Sequence, residues 1–478
     1  MSAFGPMGDE ELDAHHVAAH MLPLFEYAAE IVPPKWYETT VVKYQATAGM
    51  RLLTEEHQTQ VYDALYQGLM DSDTFVFRGM QREDIGTLSG ELEGYYGAVA
   101  ANYLSGLIDA NLHVIEGNTD SSSSSAEIPA INDNHPIGAL DMGGSSTQIV
   151  YLTKPLHKSS SCGKKSSTLS DSDAEEDPHT CKLSEYEAGK LKIHGDNFFS
   201  TSYLSYGVDQ FRERLWLALI WDSQAANHSD SCETKMISYP CGFKGHYFEW
   251  NGYTFFGTGN ADECTKQVQR LLPHPEDLTD NHQEQAGRVV GGIEHPPLNG
   301  KFFAMSLYFF TLDCLRELSH PMANAHAALN KAWPRPSIRE LTDALEGLCS
   351  RSWTNDLEAI QHNSHEFTRA EVLPHRCFES VYMVTLLRDG FGFPPESRNI
   401  TFTFLIDGSE VEWSLGMALA LFSDVKDSDK TSATSGSVGN KTKDKNVTTQ
   451  DDGWHANQSS TNLSVPPLQF TTMAGESG

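Results

Sequence analysis

Residues Ile137 to Leu152 read IGALDMGGSSTQIVYL. An apolar run closes on Asp141, passes two glycines and three hydroxyl residues, and turns apolar again. A P-loop or a dinucleotide fingerprint leads from a strand into a helix. Here the residues beyond the glycines are β-like, so the expectation is two strands joined by a hairpin loop. Gly143 and Gly144 let the backbone come close to a ligand, and successive N–H groups in such a turn form a concavity for an anion. Ser145, Ser146 and Thr147 add hydroxyl donors. Asp141, at the strand end, would repel a phosphate unless a divalent cation or its water shell lay between them, which points to Mg²⁺ or Ca²⁺. Taken alone, the segment fits an ordinary Gly-Gly turn as well.

Two segments upstream extend the theme. GTLSGELEGYYGAVAANYL, from Gly86 to Leu104, is expected to be a Gly-rich loop carrying Glu91 and Glu93, followed by a helix. A carboxylate braced between Gly90 and Gly94 can face a cleft and take a proton from an attacking water, or simply complement a helix dipole. YQATAGMRLL, from Tyr44 to Leu53, places Thr47 and Arg51 where they could meet phosphate, at a strand-turn-helix junction.

The chain around these segments has 478 residues, 39% hydrophobic and 10% aromatic, enough for more than one core. Its formal charge of -31 repels phosphate backbones and anionic membrane surfaces, which argues against nucleic-acid binding. An anionic substrate must therefore be met by local donors or a cation. No stretch reaches the roughly 18 apolar residues of a membrane span, and MSAFGPMGDEELDAHH is too acidic for a signal peptide. Eight cysteines without CxxC spacing fit a disulfide framework, and sequons stand at Asn227, Asn399, Asn440, Asn446, Asn457 and Asn462. Both favour a lumenal or extracellular setting.

Apolar spacing predicts helix from Glu11 to Val32, with Pro23 opening a second helix and Pro33-Pro34 stopping it. Thr39 to Thr47 reads as strand, and helix follows to about Met70. Strand-like and helix-like pieces alternate beyond, the signature of an α/β architecture. SSSSS at 121–125, the Ser- and Asp-rich 158–178 and the tail from about Ser423 to 478 read as loops or disorder.

Taken together and in order, YQATAGMRLL, SGELEGYYGAVAANYL, GALDMGGSSTQIVY and FFAMSLYFFTLDCL closely resemble the signature segments of the apyrase family, the nucleoside triphosphate diphosphohydrolases and guanosine-diphosphatase-like enzymes. The Golgi and lysosomal members look nearest. SYLSYGVDQFRERL, YPCGFKGH, HRCFESVYMVTLLRDGFGFP and EVEWSLGMALAL support the resemblance, which runs from about Leu22 to Leu421.

The resemblance implies an actin-like α/β fold of two RNase H-like lobes with nucleotide in the cleft between them. One lobe would comprise 1–88 plus 401–422 and the other 89–400. It implies Ca²⁺- or Mg²⁺-dependent hydrolysis of nucleoside tri- and diphosphates without a phosphoenzyme, in the Golgi lumen, a lysosome-like compartment or outside the cell. Glu93 takes the place of the general base, with Ser146 and Gln148 holding the water. Asp141 anchors the hydrated metal. Gly143, Gly144, Ser145 and Thr147 cradle phosphate, with Thr47 and Arg51 beside the cleft. The two base-clamping positions fall on Phe310 and Arg376, and an arginine stacks on a base differently from a tyrosine. The resemblance pairs Cys349 with Cys377 and Cys241 with Cys264. Cys162 and Cys181 flank the Ser-rich insert as a further candidate pair, and Cys314 reads as a free thiol. Trp413 is assigned to packing, and Asp407-Gly408-Ser409 to a plain turn.

Family enzymes open with a strand and a DxGSS-type phosphate loop, and residues 1–20 contain no such string. The expectation is an N-terminally incomplete first lobe, weak activity, and an upstream segment with a signal or membrane anchor. The alternatives are a catalytically impaired nucleotide-binding protein and an exopolyphosphatase.

Overall fold

The structure, a computed structural model, describes residues 13–115, 136–153, 191–226, 236–273, 289–319 and 325–434. The opening segment is mostly helical. Asp13 caps α1 (Ala14–Ala19), and Pro23 sits in the first turn of α2 (Leu22–Ile31), where its missing N–H costs nothing. The strand expected over Thr39 to Thr47 is confined to β1 (Tyr44–Ala46). Helix resumes as a single turn, α3 (Ala48–Arg51), and again after the Thr54 cap as α4 (Glu55–Asp71). Val61, Leu65 and Leu69 of α4, at i, i+4 and i+8, bury a stripe against Val17, Phe75 and Phe77. β2 (Ile85–Thr87) pairs with β1 in parallel.

Glu91 and Glu93 are expected in a loop, but they lie in the first turn of α5 (Gly90–Leu104), because Ser89 caps that helix by accepting the Leu92 N–H. The hairpin is present: β3 (Gly138–Met142) runs antiparallel to β4 (Ser146–Leu152), and β4 to β5 (Phe198–Leu204). After α6 (Val208–Ala226), β6 (Met236–Tyr239), β7 (Tyr247–Trp250) and β8 (Tyr253–Gly257) form a small separate sheet that packs on α6, and α7 (Ala261–Leu271) follows. The short hairpin of β9 (Val289–Val290) and β10 (Ile293–Glu294) leads to β11 (Phe302–Ala304). Then come α8 (Leu307–Leu318), α9 (Ala325–Ala332), α10 (Ile338–Cys349), α11 (Arg376–Thr385) and β12 (Ile400–Phe402). Asp407 and Gly408, both at positive φ, turn β13 (Leu405–Ile406) into β14 (Ser409–Glu410), as the plain-turn assignment expects.

The main sheet has the order β12-β11-β3-β4-β5. Three successive antiparallel strands with two parallel ones added beside the first is the arrangement of an RNase H-like lobe. Both faces are covered, so the strands are nearly continuously buried. Ala139, Val150 and Phe303 face α5 and α12 (Trp413–Thr434), while Leu140, Ile149, Tyr151 and Phe302 face the large core with α8 and α11.

Residues 401–422, assigned by the resemblance to the first lobe, pack here on this second one. Thr401 and Phe402 complete β12, and Leu415 and Leu419 of α12 bury against the Ala-rich face of α5. The helix also runs to Thr434, past the point at Ser423 where the tail was expected to begin. Ser423 is 1% exposed and its hydroxyl donates to the Asn111 carbonyl. Disulfides join Cys241 to Cys264 and Cys349 to Cys377, each with Cα atoms 4.9 Å apart, and Cys314 is a buried free thiol. Cys162, Cys181 and Cys232 and the Ser-rich runs lie outside the described residues.

Candidate active site

The loop between β3 and β4 is pinned from one side. The Gly143 carbonyl accepts from the Val208 N–H (2.9 Å), that of Gly144 from the Asp209 N–H (2.9 Å), and that of Ser145 from the Ser205 N–H (2.8 Å). In a trans peptide the N–H points opposite to the carbonyl, so the N–H groups of Gly144, Ser145 and Ser146 are turned away from the 205–209 segment. Gly207 makes this closure possible, since a Cβ there would lie 2.3 Å from the nitrogens of both Ser145 and Ser146.

Glu93 faces inward from the first turn of α5 and is 8% exposed, whereas Glu91 is exposed. The close approach of α5 to the sheet depends on Gly94, whose Cβ would fall 2.8 Å from Val150 Cγ2 and 3.2 Å from Gln148 Cβ. Glu93 Oε2 accepts from Arg51 Nη2 at 2.8 Å and from Gln148 Nε2 at 3.1 Å. Gln148 Nε2 also reaches Ser146 Oγ (2.8 Å) and Ser202 Oγ (3.1 Å), and Arg51 Nη2 reaches Ser146 Oγ at 3.2 Å. Arg51 Nη1 is fixed on the Leu88 carbonyl at 2.8 Å. Thus Arg51, Glu93, Ser146 and Gln148, up to 97 positions apart in sequence, form one hydrogen-bonded cluster.

Burial, reinforced by the nearby Asp141 carboxylate, raises the Glu93 carboxyl from its usual 4.5 to about 7, with Arg51 pulling the other way. Asp141 is also raised by burial, against hydrogen bonds from Ser306 and the Met142 backbone. A third carboxylate, Glu412, is raised to about 7 by burial and by the charges of Asp141 and Glu410. Sequence reasoning passed over Glu412, Ser202 and Ser306. The acid beside Trp413 in EVEWSL was the available signal for the first, whereas only register brings Ser202 opposite Gln148. Among the described residues, the trio that brings three ligand atoms within 4.8 Å of one another is Asp313, Glu317 and His365, and Arg316 already pairs with both acids there. Glu93, Asp141 and Glu412 are not that close.

Two expected site residues are placed otherwise. Thr147 is fully buried, and its hydroxyl contacts the Asp141 carbonyl (2.7 Å) and Tyr308 OH (3.2 Å), so it braces β3 and α8 and does not face a ligand. Arg376 is 2% exposed, and its guanidinium is engaged by Glu379 and Thr311 (both 2.7 Å), Thr368 (3.0 Å) and the Phe367 carbonyl (3.1 Å). Its planar faces are enclosed, so it offers no platform to a base. Phe310, by contrast, is half-buried in a cluster with Phe367 (5.4 Å between ring centres) and Phe404 (5.7 Å). Thr47 is half-buried ahead of α3, with no cap bond from its hydroxyl.

Residues 9–434 match the profile of the GDA1/CD39 (nucleoside phosphatase) family. The Golgi apyrase of Saccharomyces cerevisiae is 26% identical over 425 residues, covering 84% of this chain and 59% of the yeast protein. Ectonucleoside triphosphate diphosphohydrolase 1 of Rattus norvegicus is 26% identical over 428 residues, covering 85% of this chain and 70% of the rat protein. The chain thus spans less than two thirds of the yeast relative. A crystal structure of nucleoside triphosphate hydrolases from Neospora caninum superposes with a TM-score of 0.52 at 15% identity, covering 88% of this chain and 80% of that one, a likeness of fold.

Proposed function

The chain belongs to the GDA1/CD39 (nucleoside phosphatase) family, and from that premise we propose that it hydrolyses nucleoside tri- and diphosphates with Mg²⁺ or Ca²⁺, by direct attack of a water activated by Glu93. The observation that carries this reading is the buried Glu93 carboxyl, raised to about 7 and accepting from Arg51 and from Gln148, whose amide also reaches Ser146. A general base works best with a pKa near the operating pH. Glu93 takes a proton from water held by Ser146 and Gln148. The water oxygen bonds to the terminal phosphorus as the bridging P–O bond breaks, and the nucleotide product leaves with the bridging oxygen.

The Gly144, Ser145 and Ser146 N–H groups meet the phosphate oxygens, with Gly143 allowing the approach and Arg51, which reaches the Ser146 hydroxyl, and Thr47 beside the cleft. Catalysis is then positioning and charge neutralisation. The donor set around Asp141 is all oxygen, which fits a hard cation. When bound, such an ion would neutralise phosphate charge, and Asp141 would hold it through water. Phe310, backed by Phe367 and Phe404, offers one face to a nucleobase.

A secretory-pathway or extracellular setting is supported by the two disulfides and by the exposed sequon asparagine Asn399, which would carry a glycan. Among the described residues no helix is long and apolar enough to cross a membrane.

A second reading, nucleotide binding with little turnover, is favoured by one observation. From the 13–88 segment, the side chain bonded to the cluster around Glu93 is Arg51 alone among the described residues. Phosphate release from several nucleoside tri- and diphosphates and from polyphosphate, with and without chelator, tests both. Metal-dependent release from nucleotides supports the first reading, and tight nucleotide binding without release supports the second.

A further inference from the structure

Asp313 and Glu317 stand four residues apart on α8 and therefore share one face of that helix. His365, on the irregular segment between α10 and α11, meets that face with its side chain fully enclosed. Its Nε2 lies 3.1 Å from Asp313 Oδ2 and 3.9 Å from Glu317 Oε2, and one ligand atom from each of the three falls within 4.8 Å of the other two.

Arg316 pairs with both acids, but on their other oxygens. Its guanidinium takes Asp313 Oδ1 at 2.6 Å and Glu317 Oε1 at 2.9 Å, and its Nη1 donates to Asn330 Oδ1 at 3.1 Å. The arginine thus orients the two carboxylates without occupying the oxygens that converge on the imidazole. The far ring nitrogen, His365 Nδ1, is 2.9 Å from Thr368 Oγ1, and that hydroxyl accepts from Arg376 Nε at 3.0 Å. A metal-ligating histidine is ordinarily held through its second nitrogen in this way, and a metal-ligating carboxylate is itself hydrogen-bonded.

The spacing and the donor set select the ion. Zn²⁺ ligands at about 2.0 to 2.2 Å in a tetrahedron lie about 3.3 to 3.6 Å apart. The separations of 3.1 and 3.9 Å bracket that range, and Glu317, whose side chain is 42% exposed, can close the longer one by a small rotation. Two carboxylates against one guanidinium leave a negative charge beside a buried imidazole. One nitrogen with two oxygens suits Zn²⁺, whereas Mg²⁺ and Ca²⁺ prefer oxygen alone.

We propose that Asp313, Glu317 and His365 form a Zn²⁺ site, distinct from any cation at Asp141, that ties α8 to the segment carrying Phe367. The fourth position, on the exposed side of Glu317, falls to water. The tie bears on the aromatic cluster, because the Phe367 ring meets Phe310 at 5.4 Å and Phe404 at 4.9 Å between centres. The proposal does not rest on the roles given to Glu93 or Asp141.

The test titrates Zn²⁺ into metal-free wild-type protein and into Glu317→Gln, His365→Gln and Asp141→Asn by calorimetry, without nucleotide, and follows thermal unfolding with and without Zn²⁺. Wild type and Asp141→Asn should each bind one Zn²⁺ per chain and melt at a higher temperature in its presence. Groups that only support a metal ligand contribute about 10- to 100-fold in affinity, so loss of a ligand itself, in Glu317→Gln or His365→Gln, should weaken binding by at least about 100-fold and abolish the thermal shift. Glu317 is exposed, so its variant keeps the test decisive if His365→Gln folds poorly. No stoichiometric binding by the wild type, or wild-type affinity in Glu317→Gln, overturns the proposal and leaves His365 in an ordinary ion pair with Asp313. Binding that is kept in Glu317→Gln and lost in Asp141→Asn places the ion in the cleft and overturns it as well.

Discussion

Replacing Arg51 with methionine removes a cation from Glu93 while keeping a side chain of similar length. Arg51 Nη2 lies 2.8 Å from Glu93 Oε2, and both side chains are nearly buried, at 14% and 10% exposed. A hydrogen bond to a charged group contributes about 1.5 to 3 kcal/mol, and one pKa unit corresponds to about 1.4 kcal/mol. Losing the guanidinium should therefore raise the Glu93 carboxyl from about 7 by about one to two further units. A general base works only when deprotonated, so activity falls as pH drops through its pKa. The acidic limb of kcat/KM for phosphate release, which reports the free enzyme, should move from about 7 to about 8 or 9 in Arg51→Met. Arg51→Lys keeps the charge and should hold the limb within about half a unit. KM will also rise in Arg51→Met if Arg51 meets phosphate, and the displacement of the limb separates the two roles. An acidic limb that stays in place while overall activity falls would refute the electrostatic coupling and leave Arg51 a binding residue only.

Arg376→Met should cost about 3 kcal/mol in denaturant unfolding, since it leaves the buried Glu379 carboxylate with only the longer contacts to Arg212 (3.6 Å) and Thr311 (3.4 Å), while leaving the ranking among nucleotide bases unchanged. A changed ranking at wild-type stability would return Arg376 to the base site. Glu412 is raised from its usual 4.5 to about 7, so its folded form favours the proton. Stability from this group is present below about 4.5 and lost as pH rises through about 7. In chelator, Glu412→Gln should thus be more stable than wild type by about 1 to 2 kcal/mol at pH 8 and no more stable at pH 4, with the estimate discounted for partial exposure. Equal effects at the two pH values would show that Glu412 is not electrostatically strained.

The hairpin around Gly143 was legible because apolar alternation on both sides of two glycines permits little else, and the two disulfides followed from resemblance. Glu93 was legible as a residue but not as a helix residue, because the Ser89 cap competes with the loop suggested by Gly90 and Gly94. Thr147 was misread because period two in a strand sends Ser146 and Gln148 to one face and Thr147 to the other, where it meets Tyr308. Arg376 was misread for lack of its partners. Glu379, one turn along α11, gives a hint, but Thr311 and Thr368 come from other segments, and only the folded chain encloses the guanidinium. The placement of 401–422 turned on which of two apolar surfaces would receive Leu415 and Leu419, a choice that periodicity does not encode.

The central claim, that Glu93 is the base of a metal-dependent phosphohydrolase, is tested most directly by Glu93→Gln beside Glu91→Gln, measuring kcat for nucleotide hydrolysis and nucleotide affinity in each. Glutamine keeps the shape and most hydrogen bonds of the side chain but cannot accept the proton. The account predicts a loss of about two to four orders of magnitude in kcat for Glu93→Gln with affinity nearly unchanged, and little effect from the exposed Glu91. A Glu93→Gln protein that turns over within tenfold of wild type would contradict it.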